Sequence, residues 1–180
     1  MSDSRQTKRT YEESCRELQQ AGWLTPGTVP ALPPRRPSCD DDGAFGVRVF
    51  RTMVKDKILE NLTLPRTFFG RSEIRNVSFV GTDLSESTLC WNDFVWVDFT
   101  NSDLSRSDLR AAVFDSVKFS GANLSHTDLR GSDFKDCDFS NANLQGAKLT
   151  RIQGVGLHLS PRQLGEADWQ DLDGEEPGGG

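Results

Sequence analysis

Two histidines and one tyrosine in 180 residues leave this chain short of the groups that usually run acid–base chemistry. The four cysteines, Cys15, Cys39, Cys90 and Cys137, are scattered, with no C-x-x-C pair among them. With so little histidine to complete a ligand set, no metal site is expected. No apolar run is long enough to span a bilayer, and the opening "MSDSRQTKRTYEESCRELQQ" is too polar for a secretory signal. A cytoplasmic protein with free thiols is the resulting expectation. Apolar residues are scarce as well, at 35% of the chain with a mean hydropathy of −0.54. That excludes an ordinary packed globule of the full length: the core is economical, or part of the chain is disordered. A basic stripe is also missing. Of the net charge of −6, residues 154–180 carry most, with six acids against one base; residues 65–153 are near neutral, with twelve acids and ten bases. No direct nucleic-acid binding is expected from such a distribution.

What is present is a repeat. From Phe69 to Leu149 every fifth residue is Phe, Leu or Ile, 17 in succession. Chance would give this on the order of 10⁻⁸ of the time, so the period marks a repeat architecture. Five matches neither the 3.6 of an amphipathic helix nor the 2.0 of a half-buried strand. Two places before each large residue stands a small uncharged one, and one place before is usually Asp or Asn. A second period of twenty overlies the first. Phe79, Phe99, Phe119 and Phe139 form one column, Leu84, Leu104, Leu124 and Leu144 another, and Val77, Val97, Val117 and Cys137 precede the Phe column. Four five-residue sides per coil produce that pattern, with each coil buried by its neighbours. Gly81, Asn101, Gly121 and Asn141 recur two places after the column Phe. Both residue types accept left-handed backbone angles, which predicts a repeated corner there.

"ANLSHTDLRGSDF" and "SNANLQGAKL" match the consensus A(D/N)LXX, and on these segments the chain resembles the pentapeptide-repeat family over residues 65–151. The resemblance implies an all-β fold, a right-handed four-sided β-helix of about four to five coils. It says little of function, because a fold hosts many functions. The best-known members resemble B-form DNA in shape and charge and protect or inhibit DNA gyrase.

The chain divides by composition into four parts. Residues 1–44 read as an extension. Within it a short helix opens at a capping box of Thr10 and Glu13, followed by a Pro-rich tether. Residues 45–64 read as a strand-like cap or degenerate first coil, with Val49, Val54, Leu59 and Leu64 in phase and Lys57 breaking the small-residue rule. Residues 65–153 are the solenoid. In 154–180, Ser160 and Pro161 open a short capping helix, and an acidic, Gly-rich tail, "DGEEPGGG", reads as disordered.

No catalytic set emerges, so an enzyme is not expected, nor a cofactor or small-molecule substrate. His126 is placed outward above Arg106, His158 in the cap, and Cys137 in an inward small site. The many carboxylates follow the repeat's own spacing and alternate with bases, as Asp98, Lys118 and Asp138 do in one column. That is a solvated charge ladder. One outward cluster stands apart: Trp91 and Trp96 on adjoining sides, Val95 beside them, Cys90 nearby and Val113 one coil on. Apolar groups clustered on a solenoid surface are usually covered. Two covers are open: residues 1–60 folding back, or another protein, which includes a second copy of the chain. The expected function is a non-enzymatic protein–protein interaction module with this Trp-centred patch as its binding surface. The alternative is a DNA-mimicking inhibitor or protector of gyrase or topoisomerase.

Overall fold

The structure, a computed structural model, describes residues 7–38, 46–154 and 156–170. The predicted C-terminal disorder, in residues 173–180, lies outside the described residues. Helix α1 (Tyr11–Gln20) is followed by strands β1 (Arg48–Phe50), β2 (Met53–Ile58), β3 (Phe68–Gly70), β4 (Glu73–Ser78), β5 (Asp93–Val95), β6 (Val113–Asp115), β7 (Asp133–Lys135) and β8 (Lys148–Thr150). Helices α2 (Arg151–Gly154) and α3 (Pro161–Glu166) and strand β9 (Asp168–Gln170) complete the chain. Every strand pair is parallel with an offset of twenty residues, from Arg48↔Phe68 to Thr150↔Gln170. The result is a parallel β-solenoid of about six coils, against the four to five expected.

The extra coils lie at the ends. Val47, Val49, Val54, Leu59, Leu62 and Leu64 are all buried, so residues from Val47 on form a full first coil. Lys57 stays half-exposed because its coil is the outermost and its ammonium escapes to water. At the other end β9 pairs with β8 and sets Trp169 opposite Leu149, in the large-residue register.

Packing follows the columns. Phe79, Phe99 and Phe119 stack with centroids 5.2 and 5.5 Å apart and interplanar angles of 7° and 11°. The second column, Phe94, Phe114 and Phe134, stacks at 5.1 and 5.0 Å. The two columns meet edge to face, as at Phe94–Phe99, 5.6 Å and 68°. These are the favourable geometries of aromatic rings, so identical side chains at identical heights gain on burial and on ring contact. Phe134 and Cys137 are only half-buried, because the sixth coil covers their corner incompletely.

The small sites do more than leave room. Ser132 Oγ donates to the Leu109 carbonyl at 2.6 Å and accepts from the Ala112 N–H at 3.2 Å, tying one coil to the one below. Ser107 and Thr82 bridge in the same way. Buried hydroxyls at these positions are therefore satisfied.

All four corners are left-handed. The residue two places after every large position, from Arg51 to Gly146, has φ between 50° and 70°. The expectation had covered one column of four. Where an Asp or Asn stands before the large residue, away from the β5–β7 strands, it helps to hold the corner. Its side chain accepts the N–H two residues on, as Asp83 does from Ser85 (3.0 Å), Asp103 from Ser105 (3.0 Å) and Asp138 from Ser140 (2.8 Å).

Both ends are covered. At the first coil, α1 begins with the predicted capping box, Thr10 with Glu13. It buries Cys15 and Leu18 against the core, while Ser14 Oγ accepts from the Thr63 N–H at 2.8 Å. The Pro-rich stretch beyond is not a contact-free tether. The Pro33 carbonyl accepts from Arg66, the Pro37 carbonyl from the Thr88 hydroxyl, and Arg36 donates to the Arg106 carbonyl. At the last coil, Gln153 Nε2 donates to the Leu129 and Ser132 carbonyls (2.9 and 2.6 Å). Ten residues later Gln163 Nε2 does the same to Phe139 and Ala142 (2.7 and 3.1 Å). Each glutamine is held from behind, by Thr150 and by Ser160, which is the N-cap of α3 with Pro161 behind it.

Candidate functional site

The strand side of the solenoid is the five-stranded sheet built from β2, β4, β5, β6 and β7. Trp91 and Trp96 occupy its two corners in the third coil. Their backbones are fixed by hydrogen bonds to the next coil, Trp91 N–H to Arg110 O at 3.1 Å and Trp96 N–H to Asp115 O at 2.9 Å. Both sit at left-handed φ, 55° and 54°. A bulky residue in that region is an outlier, because its Cβ crowds the following carbonyl. The indoles project outward, 48% and 59% exposed. Each carries an arginine from the coil below: the Arg71 guanidinium carbon is 5.2 Å from the Trp91 ring centroid, and that of Arg75 is 5.5 Å from Trp96. These contacts hold the rings against the surface.

Of the other residues expected in the patch, Val113 is 41% exposed and Val95 half-buried between the tryptophans. Cys90 is a correction: it is 2% exposed and adds nothing to the surface. It lies on the side where Thr88 bonds Pro37, so the N-terminal stretch runs along its face. That path keeps the described part of residues 1–60 on the first coil and the Cys90 side, and both indoles stay open.

Sequence reasoning missed half of the apolar surface. Phe50, Met53 and Ile58 are 41%, 57% and 74% exposed on the first coil, on and beside the strand side below the tryptophans. The signal was present: Met53 and Ile58 each precede an in-phase large residue by one place, which is an outward position. Reading the first coil as degenerate hid it. Ile58 and Trp96 line a cleft of about 730 Å³ together with Asn76, Val77 and Ser78 and the charged Asp56, Lys57, Asp98 and Lys118.

Among the described residues no group of three or more His, Cys, Asp or Glu could hold a metal ion. His126 is an exposed corner residue, and His158 is exposed in the cap. Burial pushes the Cys137 thiol up, away from the thiolate that a nucleophile needs. The acidic columns are ladders: Lys118–Asp98 at 3.4 Å, Lys135–Asp115 at 3.0 Å, Arg130–Asp128 at 2.8 Å. Burial works to raise the Asp128 carboxyl, but hydrogen bonds from Arg130 outweigh it and hold it below the ordinary range. Asp98 follows the same balance, with Thr100 and Lys118 as donors. No described helix is long and apolar enough to cross a membrane.

The architecture is thus a parallel solenoid with five-residue sides and two exposed tryptophans at adjacent corners. The family model for pentapeptide repeats matches residues 93–131 and 118–152, in eight copies, so that stretch is a run of pentapeptide repeats. Among solved structures, a pentapeptide repeat protein of the Arabidopsis thaliana thylakoid lumen matches at 26% identity and a TM-score of 0.56, over 58% of this chain and 72% of that one. Rfr23, a pentapeptide repeat protein from the cyanobacterium Cyanothece 51142, matches at 17% identity and a TM-score of 0.51, over 54% and 80%. QnrB1, a plasmid-mediated fluoroquinolone resistance protein, is more distant in shape, with 23% identity, a TM-score of 0.41 and coverage of 57% and 53%. No curated protein matches the sequence.

Proposed function

We propose that this chain is a non-enzymatic interaction module whose solenoid presents Trp91 and Trp96, with Val95 and Val113 between and above them, to a partner protein. The observation that carries this reading is the pair of indoles held outward at adjacent corners, in a backbone region that tryptophan disfavours. Rigid aromatic side chains make good anchors because little entropy is lost when they are covered. Gyrase-directed DNA mimicry fits less well. It calls for a continuous negative face, whereas the acidic columns here are interrupted by paired bases.

The test is capture from a native extract by wild type and by the Trp91→Asp, Trp96→Asp double variant. Circular dichroism first establishes that both are folded, and the retained protein is then purified and rebound. Aspartate tolerates left-handed φ better than tryptophan, so the variant is expected to fold. A partner held by wild type and lost by the variant supports the reading. A partner held equally by both removes the tryptophans from it, and capture of gyrase would restore the DNA-mimic alternative.

A further inference from the structure

Charge on the strand side is divided by height. From the third coil upward its cations are matched, as in Lys118–Asp98 and Lys135–Asp115. On the first two coils Arg51, Lys55, Lys57 and Arg71 have no carboxylate within ion-pair distance among the described residues. Of the nearby acids, Glu73 pairs with Arg75 at 2.7 Å, whereas Asp56 is bonded to the neutral Asn76 amide at 2.8 Å and Asp93 is exposed, so both keep their charge. Four cations against the two carboxylates of Asp56 and Asp93 leave a net positive charge around the exposed Met53, Ile58, Trp91 and Trp96.

We propose that the segment bound at this face is an acidic peptide carrying one large apolar side chain. This rests on the interaction-module reading and names the chemistry of its partner. The apolar side chain enters the cleft between Trp96 and Ile58, whose volume of about 730 Å³ accommodates a leucine, phenylalanine or tryptophan. Carboxylates of the same segment meet Lys57 beside the cleft and Lys55, Arg71 and Arg51 across the side. Apolar burial supplies the affinity, and the cations supply orientation and rate of encounter. A single-stranded nucleic acid also joins charge to flat rings. Its phosphates recur at every nucleotide, however, and Asp56, Glu73 and Asp93 stand among the cations. A peptide places its carboxylates only where the cations are.

Selection of displayed random dodecapeptides on the full-length chain tests this. The expected pool is net acidic with an aromatic residue or leucine in each member. Synthetic copies, read by fluorescence anisotropy, should weaken about tenfold on a Lys57→Glu, Arg71→Glu variant and in high salt, and at least as much on Trp96→Asp. The milder Lys57→Gln, Arg71→Gln pair keeps the test if the reversed one misfolds. An empty, neutral or basic pool overturns the proposal, as does an affinity indifferent to these cations. Tighter binding of a twenty-nucleotide oligothymidylate, lost in the same variants, overturns it in favour of nucleic acid. If Trp96→Asp releases a cellular partner while the charge variants retain it, the acidic-peptide proposal fails and the interaction module stands. If none of the variants matters, both fail.

Discussion

The side-chain amide of Asn92 donates to the carbonyl oxygens of Phe69 and Leu89, both at 2.8 Å, while its Oδ1 accepts from the Ser72 N–H at 2.8 Å. It is fully buried, so each of these backbone groups depends on it. Asn92→Leu keeps the volume and removes all three bonds, which should cost about 2–4 kcal/mol. Asn92→Ser keeps a hydroxyl able to bridge as Ser132 does and should cost about half as much. Chemical denaturation of both variants measures this; equal stability to wild type would sink the assignment of Asn92 as a coil-to-coil tie.

Trp96 holds a backbone angle that costs an L-residue about 1–2 kcal/mol, against a cation–π contact with Arg75 of about 0.5–1 kcal/mol. Trp96→Asn is therefore expected to leave the melting midpoint unchanged or raised. A loss of more than about 1 kcal/mol would mean that the indole packs structurally, as part of an internal seam.

Acid should loosen the solenoid. The folded-state carboxyls of Asp98, Asp128 and Asp138 all lie below their ordinary value of 3.8; for Asp138 the donors are the hydroxyl and N–H of Ser140. Their ionised forms favour the folded state, so the unfolded chain takes up protons first as pH falls. The contribution is complete above 3.8 and is lost as the pH drops through the lower folded values. Denaturation midpoints should stay level from neutrality to about pH 5 and fall below about pH 4. Asp128→Asn keeps the oxygen that caps the corner and removes one titration, so its acid profile should be shallower. A steeper one would contradict the sign.

Gln163 closes the last coil at two carbonyls from a buried position. Gln163→Ala should cost about 2 kcal/mol, with the loss concentrated at the C-terminal end. Hydrogen exchange would show faster exchange at Ala142 and Ala147 and unchanged protection at Phe99. Uniform loss of protection would argue that the solenoid opens as one unit.

The columns of the core were legible because burial filters one residue in five, and identical neighbours reinforce the filter at twenty. Three of the four corner columns were not. Gly81 and Asn101 advertise a left-handed angle, but Arg71, Trp96 and Ser116 adopt it without any mark in their chemistry. The Asp or Asn that usually precedes a large residue was noticed as a pattern, and its work as a corner cap became visible only with the backbone in place. Trp91 and Trp96 were found because outward positions can be counted. Phe50, Met53 and Ile58 were not, since one misfit, Lys57, discredited their coil. Cys90 was misjudged because a Pro-rich stretch carries no periodicity from which its path can be read.

The twin glutamine caps and helix α1 have a consequence beyond stability. Coils paired in register would accept the first coil of another molecule on their last as readily as they accept their own next one. Gln153 and Gln163 occupy those carbonyls, and α1 sits across the opposite end. At those points the backbone is closed to a strand from another molecule, so the caps act against end-to-end stacking as well as fraying.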